Sequence, residues 1–234
     1  MRNRLHQAFN DEELVVEADF EKNEIEVLGI TQDGESTGKT TSEPQLKKVV
    51  ITHVYDSNHI EKIWIVNLEK NIPGISGSGS RTERAILVLQ RRTESKYVLN
   101  VILVELKTDL KKRKKGNSIQ QIAKKLRDSM NYMYLLLTLN NHQIPQKDYI
   151  NKSIELSFKG IVFYNRSQIK ENDLTENDEK ELYQILHRSK NPPTMTCETI
   201  INQRDKIEVI FVQNPGQQGE EMEEMSITLL DIIG

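Results

Sequence analysis

Two charged residues, Glu105 and Lys107, stand one residue apart at the end of an apolar segment, and they are the first candidates for chemistry in this chain. In a β-strand, residues i and i+2 point to the same face, so this carboxylate and this ammonium leave the sheet side by side. Their segment, VLNVILVELKT, is rich in Val, Ile and Leu, which is typical of a strand buried on both faces. Because a buried charge is costly without a partner, the pair indicates a functional site at the end of this strand.

A third charged residue, Glu83, lies at the start of the preceding apolar segment, RTERAILVL. Residues 85–108 therefore predict two neighbouring strands joined by a short charged turn, and a long helical pattern follows them. This order resembles the core of the PD-(D/E)xK nuclease superfamily, in which an acidic residue opens one strand, an E-x-K lies on the next strand and a helix follows. The resemblance covers about residues 80–165.

The resemblance implies an α/β fold in which a central mixed β-sheet is flanked by helices, as in restriction endonucleases, here with an additional C-terminal helix and strands. We expect one nuclease-like domain over residues 1–234, with its core at about 80–165. An N-terminal helix and strands would occupy residues 1–79, and a C-terminal elaboration would occupy residues 166–234. At 234 residues the chain is long enough to bury a full core.

The activity that the resemblance implies is hydrolysis of phosphodiester bonds by a metal-activated water, as an endonuclease or exonuclease, in DNA rather than RNA. A divalent cation lowers the pKa of its bound water and polarises the phosphoryl oxygen. Mg²⁺, with Mn²⁺ as a substitute, prefers oxygen ligands and binds through one or two carboxylates. Glu83 and Glu105 are then the expected metal ligands, with the backbone carbonyl of Leu106 as a further one. Lys107 would orient the attacking water or stabilise the negative charge of the transition state.

One departure from the superfamily pattern concerns the first acidic residue, which is usually Asp, often after Pro or a small residue. This chain has Thr82 and Glu83 there. Glutamate is longer by one methylene, so the metal would sit differently or the strand would shift. An inactive or altered site is therefore an open alternative. A second alternative is a plain surface Glu83 with an exposed Glu105–Lys107 pair at a strand end.

A dense basic cluster follows the E-x-K directly. It consists of Lys111, Lys112, Arg113, Lys114 and Lys115. Contacts from Lys and Arg to phosphates supply most of the sequence-independent affinity for nucleic acid, and this cluster lies where a phosphate backbone would pass the candidate metal ligands. We therefore expect it to bind nucleic acid, although a charge run is more commonly a solvated loop.

The segment after the basic cluster predicts a long helix that Ser118 caps. Its apolar positions keep a helical period and are expected to be core: Ile119, Ile122, Leu126, Met130, Met133 and Leu137. Gln120 and Gln121 lie in the first turn, facing back toward the strand ends. In parts of the superfamily a glutamine on this helix touches the substrate or the metal-bound water, so Gln121 is the preferred catalytic candidate. Both glutamines could equally be solvated.

The flanks predict further elements. Residues 2–20 suggest one or two short helices, and a glutamate there could join the metal site, with no choice among Glu12, Glu13 and Glu17. Strands are expected at residues 24–30, 47–57, 62–70, 153–167, 206–215 and 226–234, with a helix over residues 174–189. Polar loops are expected at 31–44, 71–83 and 216–225. The GKT at 38–40 does not fit a phosphate-binding loop, because the required glycine position holds Asp33.

Composition limits the function classes. The net charge is −3, so no global basic excess indicates nucleic-acid binding, and any such contact must be local. A single cysteine, Cys197, excludes a disulfide framework and a cysteine-rich zinc site. No signal-like or membrane-spanning apolar run is found, so we expect a cytoplasmic protein. A homodimer is an open expectation. The alternatives to a nuclease are a catalytically inactive domain of this fold that binds nucleic acid or a protein partner, and a scaffold.

Overall fold

A computed structural model describes most of the chain. The described residues are 14–19, 22–28, 46, 48–54, 59–69, 80–112, 116–140, 153–214 and 224–233. The strands are β1 (Val15–Glu17), β2 (Glu24–Leu28), β3 (Lys48–Thr52), β4 (Ile60–Asn67), β5 (Arg84–Arg91), β6 (Lys96–Leu110), β7 (Ser153–Ser167), β8 (Thr194–Cys197), β9 (Asp205–Gln213) and β10 (Glu224–Thr228). The helices are α1 (Ser118–Asn140), α2 (Asn177–Leu186) and α3 (Leu229–Ile233), with a 3₁₀ turn at Glu171–Asp173.

The expected α/β architecture with a central mixed sheet is confirmed. Seven strands form the large sheet in the order β1-β4-β5-β6-β7-β9-β8. Strands β4, β5 and β6 are antiparallel neighbours, whereas β6, β7 and β9 run parallel. A parallel pair needs a long crossover connection, and α1 lies in the connection between β6 and β7. A second sheet has three strands in the order β10-β3-β2.

The large sheet is covered on both faces. Along β6, Val101 and Leu103 pack into a core shared with α1 and α2, whereas Ile102, Val104 and Leu106 pack into a second core shared with the small sheet and α3. Every residue from Asn100 to Leu106 is buried, so the expectation that this strand is covered on both faces is confirmed. The alternation places the side chains of Glu105 and Lys107 on the face that α1 covers.

The start of α1 differs in detail from the prediction. The cap is Asn117, whose Oδ1 accepts a hydrogen bond from the backbone N–H of Gln120 at 2.8 Å. Ser118 is instead the first helical residue, and its hydroxyl contacts the backbone N–H and carbonyl of Lys111 at 3.0 and 3.1 Å. Ser118 therefore joins the end of β6 to the beginning of α1 rather than capping the helix.

Two further expectations are wrong in part. Within the described residues 14–19 the chain forms strand β1 and no helix, because Val15 pairs with Val66 of β4. The C-terminal segment expected to be one strand divides into β10 and α3, and the short edge strand β8 was not predicted. The other predicted strands and both long helices are present. Residues 1–13, the GKT segment and the three predicted polar loops fall wholly or mostly outside the described residues.

In the described part of the chain, no helix combines the length and the apolar character needed to cross a membrane.

Gly160 of β7 allows α1 to lie close to the sheet. A Cβ atom at this position would be 2.9 Å from Cδ2 of Leu126 and 3.4 Å from Cδ1 of Ile207. Leu126 is fully buried, so a shift of its side chain would disturb its neighbours in the core. The absence of a side chain at Gly160 therefore allows Leu126 of α1 to lie directly against β7.

We expect Gly160→Ala to destabilise the fold by about 1–3 kcal/mol, the usual cost of overpacking a core. Urea unfolding of both proteins measures the difference. The matched test compares the double variant Gly160→Ala, Leu126→Ala with Leu126→Ala alone, because the group that the new methyl would meet is absent from both proteins. If Gly160→Ala is as stable as the wild type, the contact between α1 and β7 at this position has room for a methyl group.

Candidate active site

The structure brings Glu83, Glu105 and Lys107 together at one edge of the large sheet. Glu83 directly precedes β5, and its backbone N–H donates a hydrogen bond to the carbonyl of Val104 on β6 at 3.1 Å. Glu83 therefore lies beside the β6 segment that carries Glu105 and Lys107. Odd-numbered residues of β5 and β6 point toward α1, since Ala85 belongs to the core on that side. The side chains of Glu83, Glu105 and Lys107 accordingly lie on the same face of the sheet, the one that α1 covers.

A second lysine, Lys125 of α1, completes the cluster. Its Nζ lies 2.8 Å from Oε1 and 2.9 Å from Oε2 of Glu105, and 3.4 Å from Oε1 of Glu83. Nζ of Lys107 lies 2.5 Å from Oε1 of Glu105. The backbone N–H of Leu106 donates to Oε2 of Glu83 at 3.0 Å. We call Glu83 and Glu105 the carboxylate pair.

The carboxylate pair is almost completely removed from water. The side chain of Glu105 is 0% exposed and that of Glu83 is 9% exposed, whereas Lys107 and Lys125 keep 14% and 17%. Burial, together with the nearby charge of Glu105, raises the pKa of Glu83 from 4.5 to about 8, although Lys125 acts in the opposite direction. Burial lowers the pKa of Lys125, but Glu105 and Glu83 outweigh this effect and the pKa is raised. The two buried carboxyl groups are therefore stabilised by the neighbouring lysine ammonium groups.

The segment that leads into β5 is attached to one face of α1 at three consecutive points. The Arg81 guanidinium lies 4.2 Å from the ring centre of Tyr132. The backbone N–H of Thr82 donates to Oγ of Ser129 at 2.9 Å, and the two hydroxyls are 3.1 Å apart. Glu83 and Lys125 form the third contact. Because helix positions 125, 129 and 132 share a face, this segment runs alongside the helix in the opposite direction.

Sequence reasoning missed Lys125. The signal was present, because Lys125 follows the buried Ile122 by three residues and precedes the buried Ser129 by four, which places it at the border of the apolar stripe. A lysine there faces the strand ends rather than open solvent. Its neighbour Lys124 is exposed.

Glu69 was also missed, and it follows the end of β4 on the same edge of the sheet. Its Oε2 lies 3.8 Å from a guanidinium nitrogen of Arg84, which also bonds Oδ1 of Asn67 at 2.9 Å. Burial raises the pKa of Glu69, an effect that the Arg84 and Lys125 charges oppose. Glu69 is a third acid near the carboxylate pair, and no motif in the sequence indicated it.

Gln121 lies one turn before Lys125 on the same side of α1 and is partly exposed, while Gln120 is exposed. Within the described residues, the carboxylate pair contacts Lys107, Lys125 and the Leu106 backbone, and its two members contact each other. Gln121 is therefore near the site without joining these contacts.

The described part of the basic cluster consists of Lys111 and Lys112, which are exposed. Lys111 pairs with Asp109 at 3.3 Å and Lys112 with Asp173 at 3.0 Å. Exposed ion pairs of this kind are weak, so both ammonium groups can exchange partners. The remaining members of the cluster, residues 113–115, lie outside the described residues.

Among the three N-terminal glutamates, Glu17 belongs to β1 and pairs with Lys62 at 3.3 Å. Its partner is on β4, so Glu17 does not join the carboxylate pair. Glu12 and Glu13 lie outside the described residues.

A metal could use only a small set of protein donors here. In the described ranges, no group of three or more His, Cys, Asp or Glu side chains is arranged to hold a metal ion. The carboxylate pair nevertheless converges closely enough for one ammonium to contact both groups. Two carboxylates suit Mg²⁺, which is commonly held by one or two carboxylates and keeps several waters. The donor set is therefore compatible with that cation.

Comparison with known proteins identifies no relative: no protein-family model, curated protein or solved structure matches this chain.

We expect Ser129→Ala to destabilise the protein by about 1–3 kcal/mol, because the buried backbone N–H of Thr82 loses its acceptor. Chemical denaturation measures this loss. Ser226→Ala, which changes an exposed serine on β10, is the control. Equal stability of the two variants would mean that the Thr82–Ser129 contact does not hold this segment to α1.

The raised pKa of Glu83 predicts a pH-dependent stability. Between about pH 4.5 and 8 the folded chain binds more protons at Glu83 than the unfolded chain, so this residue's contribution to stability is lost as the pH rises through that window. Glu83→Gln cannot ionise. Its stability relative to the wild type should therefore increase by at least about 1 kcal/mol between pH 5 and pH 8.5.

Denaturation curves across this pH range test the effect, with Glu155→Gln, a change at an exposed glutamate of β7, as the control. A constant difference between Glu83→Gln and the wild type would contradict the raised pKa.

Proposed function

We propose that this protein is a metal-dependent nuclease of the PD-(D/E)xK type, with a restriction-endonuclease-like core, that hydrolyses phosphodiester bonds in DNA in preference to RNA. The observation that carries the proposal is the meeting of two buried carboxylates from neighbouring strands with Lys107 at one sheet edge. The supporting context is the order β5, β6, α1 and β7, with β5 and β6 antiparallel and β6 and β7 parallel, which is the strand-strand-helix-strand order that the resemblance implies for the core.

Buried acids without a structural need are costly, so the carboxylate pair requires an explanation. Two carboxylates held side by side in a site of low dielectric repel each other, and a cation is the species that offsets this repulsion most strongly. Mg²⁺, or Mn²⁺ in its place, would be held by Glu83, Glu105 and the backbone carbonyl of Leu106. When bound, such an ion makes water more acidic and withdraws electron density from a phosphoryl oxygen.

The protein's own groups have separate tasks in this proposal. The Leu106 N–H fixes one oxygen of Glu83, which leaves the other oxygen for a cation. Lys107 holds a positive charge beside Glu105, where it can orient an attacking water or stabilise negative charge on the phosphate in the transition state. Burial of Glu105 keeps bulk water away and strengthens these electrostatic interactions.

The substrate would be held by the basic residues that follow β6. Lys111 and Lys112 are exposed, and the chain connects them directly to the strand that carries Glu105 and Lys107. A phosphate would compete with their present partners, Asp109 and Asp173, for the two exposed ammonium groups. The preference for DNA rests on the family resemblance.

A second candidate function is a catalytically inactive domain of the same fold that binds nucleic acid or a protein partner. The observation that favours it is Lys125, whose ammonium already contacts both members of the carboxylate pair. The substitution of Glu83 for the more usual aspartate points the same way.

We expect the purified protein to cleave plasmid or single-stranded DNA with Mg²⁺ or Mn²⁺. Glu105→Gln and Lys107→Met should each lower the cleavage rate by about 100-fold or more, since each removes a charge that the reaction needs. Single-turnover cleavage with excess enzyme measures the rate, and circular dichroism checks that the variants are folded. Lys124→Gln removes a charge from an exposed lysine and should leave the rate unchanged.

Two results would contradict this function. Cleavage that survives both substitutions would place the activity elsewhere or in a contaminant. Absence of cleavage with either metal, combined with salt-sensitive retention on DNA, would favour the inactive binding domain.

A further inference from the structure

Lys125 occupies the position between the carboxylates that a bound cation would need. Its Nζ is within 3.4 Å of three carboxylate oxygens: both oxygens of Glu105 and Oε1 of Glu83. Lys107 has a different relationship to the pair, because within the described part of the chain its ion pair is with Glu105 and not with Glu83. Lys125 is therefore the residue that joins the two acids, and it reaches them from a helix rather than from the strands.

The charges of the cluster explain why Lys125 and a divalent cation should exclude each other. With both glutamates ionised, the carboxylate pair carries −2, and Lys107 and Lys125 carry +2. A divalent cation added to this neutral set would leave a net charge of +2 in a nearly dry site, which is strongly unfavourable. One ammonium must therefore leave when the cation enters.

The geometry indicates which ammonium leaves. A cation held by both carboxylates needs oxygens of both, and Lys125 is the lysine that contacts both. Its side chain is 17% exposed and carries the ammonium on a flexible four-carbon stem, so the ammonium can move while the backbone of α1 stays in place. The Thr82–Ser129 hydrogen bond, which also joins α1 to the strand segment, does not involve Lys125.

We propose that Lys125 is an internal counter-ion that is exchanged for the divalent cation: its ammonium holds the carboxylate pair together in the metal-free protein and is displaced when the metal binds. The inference rests on the proposed function, because it concerns the metal of that site. It assigns Lys125 a positioning role rather than a catalytic one, and it predicts competition between this residue and the metal.

The exchange is tested with the metal alone, in the absence of nucleic acid. We expect Lys125→Gln to bind Mn²⁺ at least about tenfold more tightly than the wild type in isothermal titration calorimetry, because a repelling charge has been removed. A residue with only a structural role would give weaker or unchanged binding when replaced. Lys124→Gln, which removes the same charge from the exposed neighbouring position, should bind Mn²⁺ as the wild type does.

A measurement on the unmodified chain covers the case in which Lys125→Gln fails to fold. Nuclear magnetic resonance of lysine Cε groups follows Lys125 directly, with its signal assigned through Lys125→Arg. Saturation with diamagnetic Mg²⁺ should move the Lys125 signal toward that of a solvated lysine such as Lys124, while the Lys124 signal stays in place.

The outcomes separate the inference from the function. Metal binding by the wild type without movement of the Lys125 signal, or binding that Lys125→Gln weakens or leaves unchanged, would overturn the exchange and leave the nuclease proposal standing. Binding by Lys125→Gln but not by the wild type would support the competition and contradict the active nuclease. Absence of binding in both would overturn the metal site and the exchange together.

Discussion

The rest of this structure depends on the burial of two carboxylates side by side beneath a helix. Glu83 and Glu105 are held at the junction of β5, β6 and α1, where water cannot screen their repulsion. Each remaining feature of the site reduces that cost. Lys107 and Lys125 supply positive charge, the Leu106 N–H supplies a hydrogen bond, and below about pH 8 a proton on Glu83 removes one of the two negative charges. The two ammonium groups already balance the two carboxylates, so a further cation at this site would require one of them to leave.

The scaffold serves this arrangement through the position of α1. Gly160 lets the helix approach β7, and the Thr82–Ser129 contact attaches the start of β5 to the same helix face. Lys125 lies one turn from Ser129, so the packing that orders the core also determines where the ammonium lies. The packing of an uncharged residue such as Gly160 and the position of the Lys125 ammonium therefore both depend on where α1 lies.

Much of the fold followed from local patterns. The apolar runs of β5, β6 and β7 and the period of α1 predict their elements closely, because strand and helix periods are written directly in the order of apolar residues. The errors have a physical cause as well. Val15 lies in a strand because β4 offers it a partner, and Asn117 replaces Ser118 as the cap because the Ser118 hydroxyl is occupied by the Lys111 backbone. In both cases a contact with another part of the chain overrode the local preference of the segment.

The sequence by itself determined the strand that carries Glu105 and Lys107, their common face and the acidic residue that opens the neighbouring strand, since two-residue periodicity and strand order need no distant partner. The tertiary structure alone decided that Lys125 reaches both carboxylates, that Glu69 lies nearby and that Lys112 pairs with Asp173. These outcomes depend on how closely α1 packs on the sheet and on where strands distant in sequence end. Distances of that kind arise from packing, so the local pattern that places Lys125 at the border of the apolar stripe does not identify its partners.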